Sequence, residues 1–87
     1  MRHVREDDLT RLSALMALVR AFPTIRERTP GVFYRGGKAF LHFHEDGGEL
    51  FADVRFCGAE FERVRVTAPP EQRALGRRIA AALDTSV

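Results

Sequence analysis

Gly36-Gly37-Lys38-Ala39-Phe40-Leu41-His42-Phe43-His44-Glu45-Asp46-Gly47-Gly48-Glu49-Leu50-Phe51-Ala52-Asp53-Val54-Arg55 is the stretch that decides the fold. Between and after its two glycine pairs the apolar residues alternate with polar ones, the period of a half-buried β-strand. Paired glycines supply the positive φ angles that two-residue hairpin turns require. A two-residue loop at Gly47-Gly48 predicts that Asp46 pairs with Glu49, His44 with Phe51, Phe43 with Ala52 and His42 with Asp53. Ala39, Leu41 and Phe43 then share one face with Leu50, Ala52, Val54 and Phe56. The register is well specified, because a slip of one residue would turn that apolar face toward water.

Working outward, the turn at Gly36-Gly37 predicts a preceding strand that adds Val32 and Tyr34 to the apolar face. A strand after residue 60 adds Val64 and Val66. Before the strands, Leu9, Leu12, Leu15, Met16 and Val19 recur at helical spacing from Asp7 to Ala21, with Asp7 or Asp8 as amino-terminal cap. Phe22-Pro23 ends that helix, and an irregular connector leads to a turn at Pro30-Gly31. After the strands, Thr67 or Ala68 caps a second helix that opens on Pro69 and Pro70. Its apolar stripe is Leu75, Ile79 and Leu83, with Arg73, Arg77 and Arg78 off the stripe. The expected fold class is α+β, as a single domain over residues 1–87. It comprises an N-terminal helix, a four-stranded antiparallel β-meander (about 31–35, 38–45, 49–56 and 61–67) and a C-terminal helix, with both helices on one sheet face.

Composition narrows the function classes. Eighty-seven residues, 45% hydrophobic and 30% charged, are expected to form one folded domain. The single cysteine, Cys57, leaves no internal disulfide and no cysteine-cluster zinc site, and an unpaired thiol fits a reducing compartment. No membrane span and no signal-peptide apolar region is legible, so a cytoplasmic location is expected. Thirteen of the fourteen basic residues are arginine, Lys38 being the exception, yet the net charge is only +2. Arginine, alanine and glycine together are what high-GC coding produces. The near balance of charge makes nucleic acid an unlikely partner, although the arginines and phenylalanines of the sheet keep it as an alternative.

The chemistry concentrates on the second sheet face, expected to carry Phe33, Arg35, Phe40, His42, His44, Phe51, Asp53, Arg55, Phe61, Arg63 and Arg65. Aligning Val54 with Val64 in the last hairpin sets Asp53 between His42 and Arg65. His42 and His44 project to one side of a strand with Cα atoms roughly 6.5–7 Å apart. Two imidazoles and a carboxylate across the ladder form a recognised ligand set for a divalent metal, the one cofactor worth considering. The candidate metal ligands are therefore His42, His44 and Asp53, and the wider candidate ligand site adds Arg55 and Arg65. The alternative is an ordinary cross-strand pair of His42 and Asp53, with His44 packed beside Phe51. No catalytic residue emerges. Asp53 could orient His42 as a base, but Ser13, Ser86 and Cys57 are poorly placed as nucleophiles.

The run Phe33 to Asp46, with Ala52-Asp53-Val54-Arg55 and Phe61-Glu62-Arg63, resembles a group of short bacterial proteins of unknown function over residues 18–84. The histidine pair, the acidic-glycine turn and the following aspartate resemble the uncharacterised luciferase-domain family. The helix, meander and closing helix, with Gly37-Lys38-Ala39-Phe40 opening a strand, are similar to the MmcQ/YjbR-like proteins. That fold has been compared with double-wing DNA-binding modules, but this chain lacks the late tryptophan-containing strand. None of these resemblances implies catalytic residues. The expected function is a small non-enzymatic binding or assembly module, homodimeric through the Phe-rich face. A small-ligand or metal site at His42, His44 and Asp53 is the alternative.

Overall fold

The computed structural model describes residues 1–84. Its elements, in chain order, are β1 (Arg2–His3), α1 (Glu6–Arg11), α2 (Ser13–Arg20), β2 (Ile25–Thr29), β3 (Val32–Arg35), β4 (Lys38–Asp46), β5 (Glu49–Val54), β6 (Glu62–Arg65) and α3 (Pro69–Asp84). The class is α+β, and every strand pairing is antiparallel. The sheet runs β2-β3-β4-β5-β6, and β1 lies against the end of β4 that β3 leaves uncovered. It thus has two strands more than the expected four.

Both additions have physical reasons for escaping notice. In β2 only Ile25 is a buried hydrophobic residue. The next position on that side is Glu27, held by Arg20 of α2 at 2.6 and 2.9 Å and by the Gly31 amide at 3.0 Å. An inward carboxylate hides the period of two. Strand β1 is two residues long and has no period to read.

The central hairpin has the expected register from Leu41↔Val54 to Asp46↔Glu49. Gly47 and Gly48 carry φ of 59° and 86°, the left-handed pair that a tight turn with strand-matching twist requires. The two flanking hairpins differ from expectation. Between β3 and β4 the register shifts, so Phe33 pairs with Leu41 while Tyr34 pairs with Ala39, and Phe40 is the extra residue of a bulge. Phe33 and Phe40 therefore belong to the core, and Val32 moves to the histidine side opposite His42. Between β5 and β6 the pairing is Ala52↔Val64 and Asp53↔Arg63, two residues from the expected alignment. Val64 keeps its face because a slip of two preserves side-chain alternation.

The expected single helix from Asp7 to Ala21 is two, broken at Leu12. The break leaves the Arg11 carbonyl without its helical donor, and the buried Gln72 of α3 fills that place with a 3.1 Å bond while also reaching the Val66 carbonyl. The cap also differs. Arg5 is the N-cap, and its amide donates to the Asp8 carboxylate at 2.9 Å. Helix α3 begins as expected, with the Ala68 amide bound by Glu71. Leu12, Leu15, Met16, Val19, Leu75 and Ile79 pack with Phe33, Leu41, Phe43, Leu50, Ala52 and Val54 into one core. That core occupies one side of the sheet and leaves the side carrying His42 without a covering helix.

Candidate metal centre

Adjacent strands bring the three expected ligands together. His42 and His44 project from β4, and Asp53 projects from β5 directly opposite His42. His42 Nδ1 lies 2.9 Å from His44 Nε2, His44 Nε2 lies 3.0 Å from Asp53 Oδ2, and His42 Nδ1 lies 3.9 Å from the same oxygen. Asp53 is almost wholly buried, at 7% exposure, whereas the histidines are partly open to solvent.

Electrostatics disfavours the protonated forms of Asp53 and His42. The Arg63 guanidinium grips both oxygens of Asp53, at 2.8 and 2.9 Å, and holds its carboxyl below the usual range against the opposing effect of burial. Burial lowers the pKa of His42, and His44 beside it acts in the same direction while Asp53 acts in the other. At 2.9 Å the two facing nitrogens have room for a single proton between them, whichever ring carries it.

A cation between these nitrogens and the Asp53 oxygen would meet all three. An ion held tetrahedrally at about 2.1 Å separates its ligand atoms by about 3.4 Å. The observed separations of 2.9, 3.0 and 3.9 Å straddle that edge. The group His42, His44 and Asp53 could therefore hold a metal ion. Arg63 stands against it, because its charge and its bonds compete for the same carboxylate.

The other expected site residues stand outside this cluster. Arg65 pairs with Glu49 of β5 and with Glu71 of α3, and its place beside Asp53 is taken by Arg63. The hydrophobic pattern is blind to a slip of two, so Arg63 could be found only from the hairpin's actual register. Arg55 turns to the Ala39 carbonyl, which accepts from its Nε at 3.0 Å and its Nη2 at 2.5 Å, and so clamps the strand beside the Phe40 bulge. It reaches the histidines only through Phe61, whose ring lies under the Arg55 guanidinium at 4.5 Å and meets the His42 ring at 5.1 Å. Of the four phenylalanines expected on this face, Phe51 and Phe61 remain there.

A third histidine joins the periphery. His3 of β1 pairs directly with His44, their rings 6.5 Å apart, while its Nε2 faces the Pro30 carbonyl at 3.3 Å. Sequence reasoning missed it because two residues carry no strand signal. Cys57 is exposed in the β5–β6 connection. Among the described residues no helix is long and apolar enough to cross a membrane. Compared with protein-family models, curated proteins and solved structures, the chain has no match in any of the three.

Proposed function

We propose that this chain is a small non-enzymatic binding module whose ligand is a divalent transition-metal ion, zinc first, taken by His42 Nδ1, His44 Nε2 and Asp53 Oδ2. The observation that carries the reading is the convergence of three ligand atoms, from three residues on two strands, within 3.9 Å of one another. Two imidazole nitrogens and one carboxylate oxygen suit zinc and its transition-metal neighbours; calcium and magnesium prefer all-oxygen sets. Imidazoles must be neutral to bind, and the lowered pKa of His42 favours the neutral ring at physiological pH. For both facing nitrogens to hold a cation, each neutral ring would carry its proton on the outer nitrogen, Nε2 of His42 and Nδ1 of His44. Rigidity adds support, since both ligand strands belong to the hairpin at the centre of the sheet.

A calorimetric titration of chelator-treated protein tests the proposal. One zinc ion per chain is expected, with the heat lost in His44→Ala while circular dichroism shows the fold intact. No binding at millimolar zinc would overturn the proposal, as would binding that survives in the double variant His42→Ala, His44→Ala.

A further inference from the structure

The opposite side of the molecule carries a second feature, independent of the histidines. Helices α2 and α3 leave between them an apolar trough of about 480 Å³, floored by Ala14, Leu15, Leu18, Gly76 and Ala80. Leu18 is one of three large hydrophobic residues that stay exposed among those described, at 37%. Arg73 and Arg77 border the trough, and no carboxylate lines it.

Gly76 is the informative residue. It lies in the middle of a sixteen-residue helix, where glycine is the poorest choice after proline. The fold does not require it. Its φ is not positive, and a Cβ built there would meet Leu18 Cδ1 at 3.5 Å and Leu15 Cδ1 at 3.7 Å, ordinary contact distances. Gly76 lies on the lining of the trough, beside the same Leu15 and Leu18 that a Cβ would touch. The arginines sort in the same way. Arg78, on the same helix, is neutralised by Glu62 at 2.8 and 2.9 Å and stacks over Phe56. Arg73 and Arg77 meet no carboxylate among the described residues. Four residues apart on α3, they stand about 6 Å apart along its axis, which is the spacing of i, i+4 side chains on another helix.

The geometry points to the α2/α3 trough as a docking site for an amphipathic helix of a partner protein, one whose apolar ridge enters over Gly76 and whose carboxylates, one turn apart, meet Arg73 and Arg77. A second copy of this chain fits less well, because a twofold contact over this trough would set arginine against arginine with no acidic residue in the lining. A single-headed amphiphile such as a fatty acid would use one arginine and leave the other unpaired.

Two designed helical peptides, about four turns long, test this by fluorescence anisotropy at low salt. They share one leucine stripe and differ only in flanking Glu or Lys at i, i+4. The Glu peptide is expected to bind roughly tenfold more tightly than the Lys peptide, and Arg73→Glu with Arg77→Glu to invert that order. Gly76→Ala is expected to raise Tm by about 4 °C yet weaken the Glu peptide, which separates lost docking from lost folding. Equal affinity for the two peptides, binding of neither, or tighter binding after Gly76→Ala would overturn the proposal. So would self-association in sedimentation that Gly76→Ala abolishes, or displacement of the Glu peptide by decanoate.

Discussion

Strand β5 carries two carboxylates on one face, Glu49 and Asp53, and each is gripped by an arginine of β6. Arg65 holds Glu49 and Arg63 holds Asp53 through charge-assisted bonds. The Glu49 carboxyl is lowered first by the Thr67 hydroxyl and then by Arg65, and the Asp53 carboxyl first by Arg63. The difference lies on the other flank, in β4. Glu49 stands across from Asp46 beside the turn, stays open to water, and shares its remaining lone pairs with Thr67. Asp53 stands across from His42, with His44 at 3.0 Å, and is buried. The same arginine–carboxylate pair is thus a surface brace at one end of the strand and half of a ligand set at the other. What decides is whether the third partner can offer a nitrogen lone pair to a metal.

Exchanging carboxylate for amide at the two positions should give the largest contrast. Asp53→Asn is expected to lower zinc affinity at least about a hundredfold and to destabilise the fold by about 1 kcal/mol, since the buried Asp53 keeps only weakened bonds to the exposed Arg63 and the half-buried His44. Glu49→Gln should leave zinc affinity unchanged and shift the urea midpoint only slightly. Titration calorimetry and urea unfolding read both. Equal losses at the two positions would erase the distinction.

The arginines sharpen it. Arg63 competes with the ion for Asp53, so Arg63→Gln should raise zinc affinity by about tenfold, the effect of removing one partly screened charge near the site. Arg65→Gln should not change it. A loss of affinity in Arg63→Gln would mean that the guanidinium supports the ligand set.

Metal-free protein should show the smallest effect, through pH. A histidine with a depressed pKa stays neutral in the fold where the unfolded chain already binds a proton. Stability should therefore fall as the pH drops from 6.5, the ordinary value, toward the lowered folded pKa, and be level with respect to this group above 6.5. His42→Asn should flatten that slope. Asp53 and Glu49, both lowered, contribute above their ordinary values of 3.8 and 4.5, and their contribution disappears as the pH falls below these. Urea midpoints across pH 3–8, compared between wild type and His42→Asn, check the sign.

These contrasts rest on the part of the molecule most legible in sequence. The Gly47-Gly48 turn and the alternation on both sides of it determine the β4–β5 register, so His42, His44 and Asp53 could be grouped from residue order alone. Less was legible at the flanks. A bulge at Phe40 acts as a slip of one and exchanges Val32 for Phe33 in the core, and no local residue announces it. A slip of two in β6 is invisible to hydrophobicity, which exchanged Arg63 for Arg65 beside Asp53. The break at Leu12 answers to Gln72, sixty residues away in the chain and known only once α3 has packed. Apolar patterning reports which face a residue occupies; it does not report which neighbour a charged side chain will find.

Zinc at His42 Nδ1 and His44 Nε2 can be tested atom by atom, because histidine ring nitrogens are read one by one. Long-range ¹H–¹⁵N spectra of the metal-free protein, followed through one equivalent of zinc, test it most directly. Metal at Nδ1 of His42 leaves its proton on Nε2, and metal at Nε2 of His44 leaves its proton on Nδ1. These two rings are expected to become fixed in opposite tautomers while both nitrogens of His3 stay nearly unmoved. Ring signals that do not shift, or a shift confined to His3, would contradict it.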